Sequence, residues 1–373
     1  MLYVGLDVHS KRSSICILNC DGKIVKQEQV LGRWPEVIER LRGFGEPMSV
    51  CYEASCGYGN IHDRLRPLAS QVTVAHPGQL RLIFKSKKKH DRVDALKLAK
   101  LLYLDEVPRV HVPGLDVRGW RKLIEYRQKL LARRVACKNQ IRAIIRAQGV
   151  AAPRGLWGKK GIAWLKQLEL PSGEKLALEM TLDELGEYTV KIARVEKELA
   201  NIASRHPGVA LLRTIPGVGI RTAEAFCAYV DDVRRFASSR QVGSYLGLVP
   251  CLDSSAGKDR FGHITGDGPP TVRKLLSEAS WMGIRYNPTL RAFFQRVMRG
   301  DPDRKKIALV ATAHYLCRIM AAMLRTGETW RGSDQPKQEQ GAKDGGVPPA
   351  VKGLPSGRHQ TITALSSDGG PSR

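Results

Sequence analysis

Acid is what this chain has least of for its size. In 373 residues it carries 36 aspartates and glutamates against 61 lysines and arginines, a net charge of +25, with a pI near 9.9. An acid deficit of that size argues against a cationic partner and for a polyanion, nucleic acid being the commonest. Long apolar runs are also missing. No stretch of about 18 apolar residues stands out, and no basic N-terminal region is followed by a long apolar one, so neither a membrane partner nor secretion is expected and the cytoplasm is the predicted compartment. The eight cysteines include no CxxC pair, which argues against a disulfide framework and a structural zinc site and predicts reduced core thiols. No zinc finger and no helix-turn-helix signal offers base readout.

The length predicts two or three domains. From residue 1 to about 112 the pattern alternates: three strands, LYVGLDVH, SSICILNC and KIVKQEQV, then a helix over Pro35 to Arg42 and the strand SVCYEA. A helix over Ile61 to Leu68, the strand QVTVAH and a helix beginning at KKKHDRVDALKLAKLL complete it. Three meandering strands followed by helix, strand, helix, strand, helix make a mixed α/β sheet with helices on its faces, matching an RNase H-like fold. Residues 113–206 read as a second, all-α region of long basic and coiled-coil-like helices, and 207–330 as a C-terminal helical domain. Residues 331–373, rich in Gly, Pro, Ser, Gln and Lys, read as disordered.

Four acids organise the first domain. Asp91 and Asp94 are spaced to share one face of the last helix. Asp7 ends the first apolar strand and Glu53 the fourth, and an unpaired carboxylate at the end of a buried strand is unfavourable. Singly, Asp7 reads as a turn residue, Glu53 as a helix cap, and the two helix aspartates as first-turn acids favoured by the dipole. Together, with the first and fourth strands side by side, they make an oxygen ligand set for Mg2+ or Mn2+. His9 and His90, beside acidic positions, could tune the site.

Basic character is concentrated on the helix over Val117 to Gln148, where Arg118, Arg121, Lys122, Arg127, Lys129, Arg133, Arg134, Lys138, Arg142 and Arg146 surround an apolar side and Glu125 is the one acid. A merely solvated face would mix both signs, so phosphate contact is expected, Arg133, Arg134 and Lys138 being the chosen candidates. A helix from Leu182 to His206 carries a seam of Leu185, Tyr188, Ile192, Val195, Leu199 and Ile202, which could pair with the basic helix or with another subunit. The segment Ile215, Pro216, Gly217, Val218, Gly219 resembles the turn of a helix-hairpin-helix motif, with Gly217 and Gly219 exposing backbone N–H groups to a phosphate.

After a helix around Arg240 to Leu246, GLVPCLDSSAGKDRFGHITGDG reads as an exposed loop between two helices. Ser254 and Ser255 stand in its middle, and Lys258, Arg260, Arg273 and Lys274 are near enough in sequence to stabilise phosphate charge. Adjacent serines in a loop are most often turn residues.

DVHSK after the first strand, EASCGYG after the fourth and HDRVDA at the last helix together resemble the RuvC-like DEDD domain of insertion-sequence-110-type transposases and the related Piv-type DNA invertases. GLVP, the serine cluster, the Gly-rich turn and RKLLSEA look like the C-terminal transposase domain of the same family. The resemblance implies that a serine of this loop attacks DNA and forms a covalent phosphoserine link. Counting five residues on from the GLVP proline gives Ser255, with Ser254 as the fallback. It further implies double-stranded DNA, the element ends and a target, as substrate, an element-encoded guide RNA as partner, and an active site combining subunits, so that a homo-oligomer, dimer to tetramer, is expected. Two readings compete: a metal-dependent junction-resolving nuclease that hydrolyses DNA with the acids alone, and a non-catalytic architectural protein.

Overall fold

The computed structural model describes residues 1–84, 91–255 and 258–332, and of residues 91, 92, 255, 258 and 259 the backbone alone. His90 and the segment 333–373 therefore lie outside the described residues. Five strands, β1 Leu2–Asp7, β2 Arg12–Leu18, β3 Ile24–Leu31, β4 Met48–Glu53 and β5 Gln71–Ala75, form one sheet in the order β3-β2-β1-β4-β5. β1 runs antiparallel to β2 and parallel to β4, and β4 parallel to β5. The burial of each strand follows from its place. β4 is buried over Met48 to Tyr52, as expected of a parallel strand covered on both faces. β3 is an edge, and Lys26, Gln27, Glu28 and Gln29 keep it polar.

Helices α1 Trp34–Arg42 and α2 Tyr58–Leu65 cover one face, where Val37, Ile38, Leu41, Ile61 and Leu65 close over Val4, Leu6, Ile15, Val50 and Tyr52. A short helix not expected from the sequence, α3 Pro77–Ile83, is started by His76, whose Nδ1 accepts from Gln79 N. Helix α4 Asp91–Tyr103 lies on the other face, with Ala95 and Ala99 against Cys16 and Leu18.

The all-α region begins with two 33-residue helices, α5 Leu115–Ala147 and, after the short α6 Lys159–Gln167, α7 Ser172–Ser204. α7 starts ten residues before the expected Leu182. The glycines and prolines around it hide the start, but Glu174 in its first turn and the buried Leu178 extend the helix backwards. The open question of the seam is answered within the chain, because α5 and α7 pack along each other. At one end Cys137, Ile141 and Ile145 of α5, Leu165 of α6 and Leu178, Leu182 and Leu185 of α7 share a small core. At the other, Trp120, Ile124 and Leu130 join Ile192, Val195 and Leu199 in the large core that also holds the remaining helices.

Those helices are α8 Pro207–Leu212, α9 Ile220–Val230, α10 Ser239–Tyr245, α11 Pro270–Tyr286, α12 Pro288–Met298 and α13 Lys305–Thr326. α9 is the central one, buried from Thr222 through Val230. By length and composition the stretch Pro302–Thr326 could cross a membrane, a possibility that reading for apolar runs overlooks. In the fold it is a core helix, with Ala308, Ala313, Leu316, Cys317, Met320 and Ala321 fully buried. All eight cysteines are free, and Cys16, Cys51, Cys137, Cys227 and Cys317 are buried. Between α10 and α11 the expected loop is instead a two-stranded antiparallel ribbon, β6 Pro250–Ser255 and β7 Lys258–Ile264. Reading it as one Gly- and Ser-rich stretch conceals two short runs, CLDSS and KDRFGHI, whose backbones pair from Ser255 with Lys258 to Pro250 with Ile264.

Candidate active site and nucleic-acid surface

Parallel pairing of β1 with β4 aligns Leu6 with Tyr52, so Asp7 and Glu53, the next residue on each strand, come off the same end of the sheet at its centre. The helix is brought to them by Gly5. A Cβ on Gly5 would stand 2.1 Å from Ala95 O and 2.5 Å from Ala99 N of α4, so the helix backbone rests directly on β1. Asp94, the residue before Ala95, is thereby fixed over the strand that ends two residues later in Asp7. Asp91 is at the first position of the same helix, and its side chain lies outside what is described.

Asp7 is largely shielded, with 15% of its side chain exposed, and His9 Nε2 is 3.2 Å from its Oδ2, so His9 does reach the acid it follows. Asp94 Oδ1 accepts a 2.8 Å hydrogen bond from Lys97 Nζ one turn on. Glu53 is exposed, so the desolvation argument made from sequence applies to Asp7 and not to Glu53. Three carboxylates from three elements at one sheet end are hard oxygen donors, the kind Mg2+ takes, and in kind they suit a divalent cation. Among the described residues no three His, Cys, Asp or Glu side chains are gathered into a ready cluster; Asp94 faces Lys97 and Asp7 faces His9 instead. The EASCGYG turn after β4 has a structural duty as well. Tyr52 Oη donates to Tyr58 O at 2.6 Å, and Gly59 leaves room for Arg118 of α5, whose side chain pairs with Asp63 and holds that carboxyl below its ordinary range.

The ribbon's register separates the two serines. Ser255 is opposite Lys258, Ser254 opposite Asp259, Asp253 opposite Arg260 and Leu252 opposite Phe261. Because a strand alternates its faces, the Ser255 position shares a face with Asp253, Lys258 and Arg260, and the Ser254 position with Asp259, Leu252 and Phe261. The ribbon's base is closed by Gly247 of GLVP, where a Cβ would meet Asp267 O at 2.1 Å. Arg273 braces the same place, its Nη1 donating to Leu246 O, Asp267 O and Gly268 O. That guanidinium nitrogen is thus held by scaffold carbonyls. Arg260 is exposed, Lys274 is exposed beside Glu278, and the Lys258 side chain lies outside what is described.

The basic helix also divides. Arg118, Arg121 and Arg127 are structural: Arg121 Nε donates to Ala228 O at the end of α9, and Arg127 pairs with Glu196 of α7. Arg133, Arg134 and Lys138 form no ion pair with a described residue. In the Ile-Pro-Gly-Val-Gly turn, Gly217 is required by packing. Its φ is +98°, and a Cβ there would be 2.5 Å from Gly283 N of α11. Gly219 is the open glycine of the pair, exposed with nothing near its Cβ position and standing at the N-terminus of α9. Sequence reasoning missed Gly5 and the ribbon, although a lone glycine in a buried strand is a signal of close backbone approach.

Two family models match the chain. One, described as a transposase model of the DEDD IS110 kind, covers residues 4–148, and the other, the IS116/IS110/IS902 transposase family, covers residues 209–295. The transposase for insertion sequence element IS1111A of Coxiella burnetii is 26% identical over 88% of this chain and 91% of its own length. That for IS1328 of Yersinia enterocolitica is 28% identical over 63% of this chain and 70% of its own length. A transposase-named protein of Sinorhizobium fredii, y4qE, is 28% identical over 77% of this chain and 73% of its own length.

Proposed function

Since the chain belongs to the IS110 family of insertion-sequence transposases and is a DNA-recombining enzyme, we propose that it exchanges DNA strands through a covalent serine link made at Ser255 and supported by an acidic, cation-binding centre at Asp7, Glu53, Asp91 and Asp94. The observation that carries the choice of serine is the ribbon's register, in which the Ser255 position stands opposite Lys258 and the Ser254 position opposite Asp259. Attack on a phosphodiester builds negative charge on the phosphoryl oxygens. A serine across the ribbon from a lysine has a cation-bearing residue at hand for that charge, and one across from an aspartate does not. Ser255 Oγ forms the new bond to phosphorus, the bond to the leaving sugar oxygen breaks, and that oxygen takes up the proton. The link conserves the phosphodiester bond energy, so a second strand's hydroxyl can reverse the step and reseal.

A Mg2+ or Mn2+ ion bound by the four acids supplies charge neutralisation at the scissile phosphate. Around it the chain's own residues set the geometry. Gly5 lets α4 sit low enough to hold Asp94 near Asp7, with His9 beside Asp7 and Lys97 beside Asp94. Duplex DNA, at element ends and target, is the substrate. A guide RNA transcribed from the element is the proposed source of target choice, favoured by the +25 charge and by the lack of a base-reading motif. Assembly of copies, dimer to tetramer, is supported by the ribbon, which exposes Leu252 at 57% and Phe261 at 70%, since a two-stranded ribbon alone is marginal in water.

The test is to incubate the protein with Mg2+, the flanking-sequence RNA and end-labelled junction and target DNA, and to resolve protein–DNA adducts on denaturing gels. An adduct present in wild type and Ser254→Ala and absent in Ser255→Ala and Asp91→Ala is expected. Cleavage to free ends that persists in Ser255→Ala would refute the covalent reading in favour of a hydrolytic nuclease.

A further inference from the structure

Far along α5 from the cores of both catalytic elements, the small α5/α6/α7 core opens into a cavity of about 390 Å3, within the size range of ligand sites, roughly 300–1,000 Å3. Arg134 and Lys138 of α5, Trp157 and Lys166 line one part, and Asp183 of α7 supplies a carboxylate. Arg134, Lys138 and Arg142 follow at intervals of four, which makes them a single ridge of like charge on α5. Two of them are parked on the indole: Lys138 Nζ is 4.9 Å and Arg142 Cζ 5.3 Å from the centre of a Trp157 ring. The crowding is felt, since burial and its two arginine neighbours lower the Lys138 amine below its ordinary range. An aromatic plane, a ridge of cations without carboxylate partners among the described residues and a recess between helices form a combination that the acidic centre and the ribbon do not use.

We propose that this cavity takes one unpaired nucleotide of a bound nucleic acid, its base against Trp157 and its phosphate on Arg134, Lys138 and Lys166. The proposal rests on the nucleic-acid reading of the preceding section and deepens it. Base-on-aromatic stacking tolerates any base, because every base has a π face, so the site would hold a strand without reading it. A base arriving on the indole displaces a cation, and the released cation is then free for the adjoining phosphate, so the two halves of the nucleotide bind cooperatively. A recess between helices admits a nucleotide swung out of a helix and excludes a duplex, whose bases are stacked on one another. Two sources share this chemistry, a loop of a structured RNA and a DNA strand opened during exchange.

The experiment measures full-length protein binding, by fluorescence anisotropy, to an RNA stem-loop, to single-stranded DNA of the loop sequence and to blunt duplex DNA. Trp157→Ala is expected to weaken single-strand binding about tenfold and to leave duplex binding unchanged, with Trp157→Phe restoring most of the affinity. A larger loss on the stem-loop identifies RNA as the source, a larger loss on the DNA strand identifies DNA. Arg134→Gln keeps the core aromatic intact and should lower the salt dependence for single strands only. Single-strand affinities unchanged in both Trp157→Ala and Arg134→Gln, or duplex affinity falling in parallel, would overturn the pocket while leaving the transposase reading in place. Wild-type protein that binds none of the three probes would overturn both.

Discussion

Adding one methyl group at Gly5 should pull the acidic centre apart. The new Cβ would stand 2.1 Å from Ala95 O and 2.5 Å from Ala99 N, whereas ordinary contact begins at 3.4 Å. Neither atom is the end of a flexible side chain; both belong to the backbone of α4. On the other side β1 cannot retreat, being paired with both β2 and β4 at the centre of the sheet. The helix must therefore lift by about 1 Å, an overpacking that costs roughly 1–3 kcal/mol and here falls at the upper end because no rotamer change relieves it. Lifting α4 also carries Asp94 away from Asp7. A misplacement of about 1 Å in reacting geometry reduces rate on the order of a hundredfold.

Gly45 supplies the control, a glycine of the same domain with nothing within 4 Å of its Cβ position. Urea unfolding and single-turnover adduct formation on Gly5→Ala and Gly45→Ala separate the two effects. Gly5→Ala should remain folded at low temperature, lose about 2–3 kcal/mol of stability and lose nearly all adduct formation, with cleavage partly recovered at high metal concentration. Should Gly5→Ala match Gly45→Ala in both measurements, the inference that α4 is seated through this glycine, and with it the placement of Asp94, is wrong.

Other outcomes follow from single contacts. Glu224 is 1% exposed on α9, and burial raises its carboxyl from 4.5 to about 7 even though Arg221 Nη1 donates to both its oxygens. The folded chain thus holds a proton that the unfolded chain releases near 4.5, so the contribution of Glu224 to stability is greatest at low pH and falls by about 3 kcal/mol as pH rises to about 7. Glu224→Gln should flatten the difference between urea unfolding at pH 5 and pH 8, and an unchanged pH dependence would contradict the assignment. Arg121→Met should lose about 1–3 kcal/mol, because it uncaps Ala228 O and Tyr229 O, without altering the salt dependence of DNA binding. Arg133→Gln should do the reverse, leaving stability within about 0.5 kcal/mol and lowering the salt slope by about 1. Chelating divalent cations should abolish adduct formation while DNA retention in gel shifts persists; adducts surviving in excess chelator would remove the acids from the chemistry.

The first domain was readable from the chain because its signals are local and mutually consistent. Alternating and continuous apolar runs set the strands, the order of elements set the sheet, and pairing β1 with β4 carried Asp7 and Glu53 to one end. All four acids were named from the chain, the strand-borne pair by topology and Asp91 and Asp94 by their spacing at the start of the last helix. How closely α4 approaches depends on an atom that is missing, and a missing Cβ at Gly5 has no periodicity to reveal it. The ribbon escaped for a different reason: Ser, Gly and Asp mark it as a loop in composition, while its strand character resides in the cross-strand pairing that sets Leu252 against Phe261. Composition alone does not sort the cations by what they touch. Arg121, Arg127 and Arg273 are indistinguishable in sequence from Arg133, Arg134 and Arg260, yet the first three are engaged with carbonyls or a carboxylate of neighbouring helices and loops. What separates the sets is whether a helix C-terminus, a loop carbonyl or an opposing glutamate lies across from each side chain, a property of the packed chain. A net charge of +25 therefore overstates the surface open to phosphate.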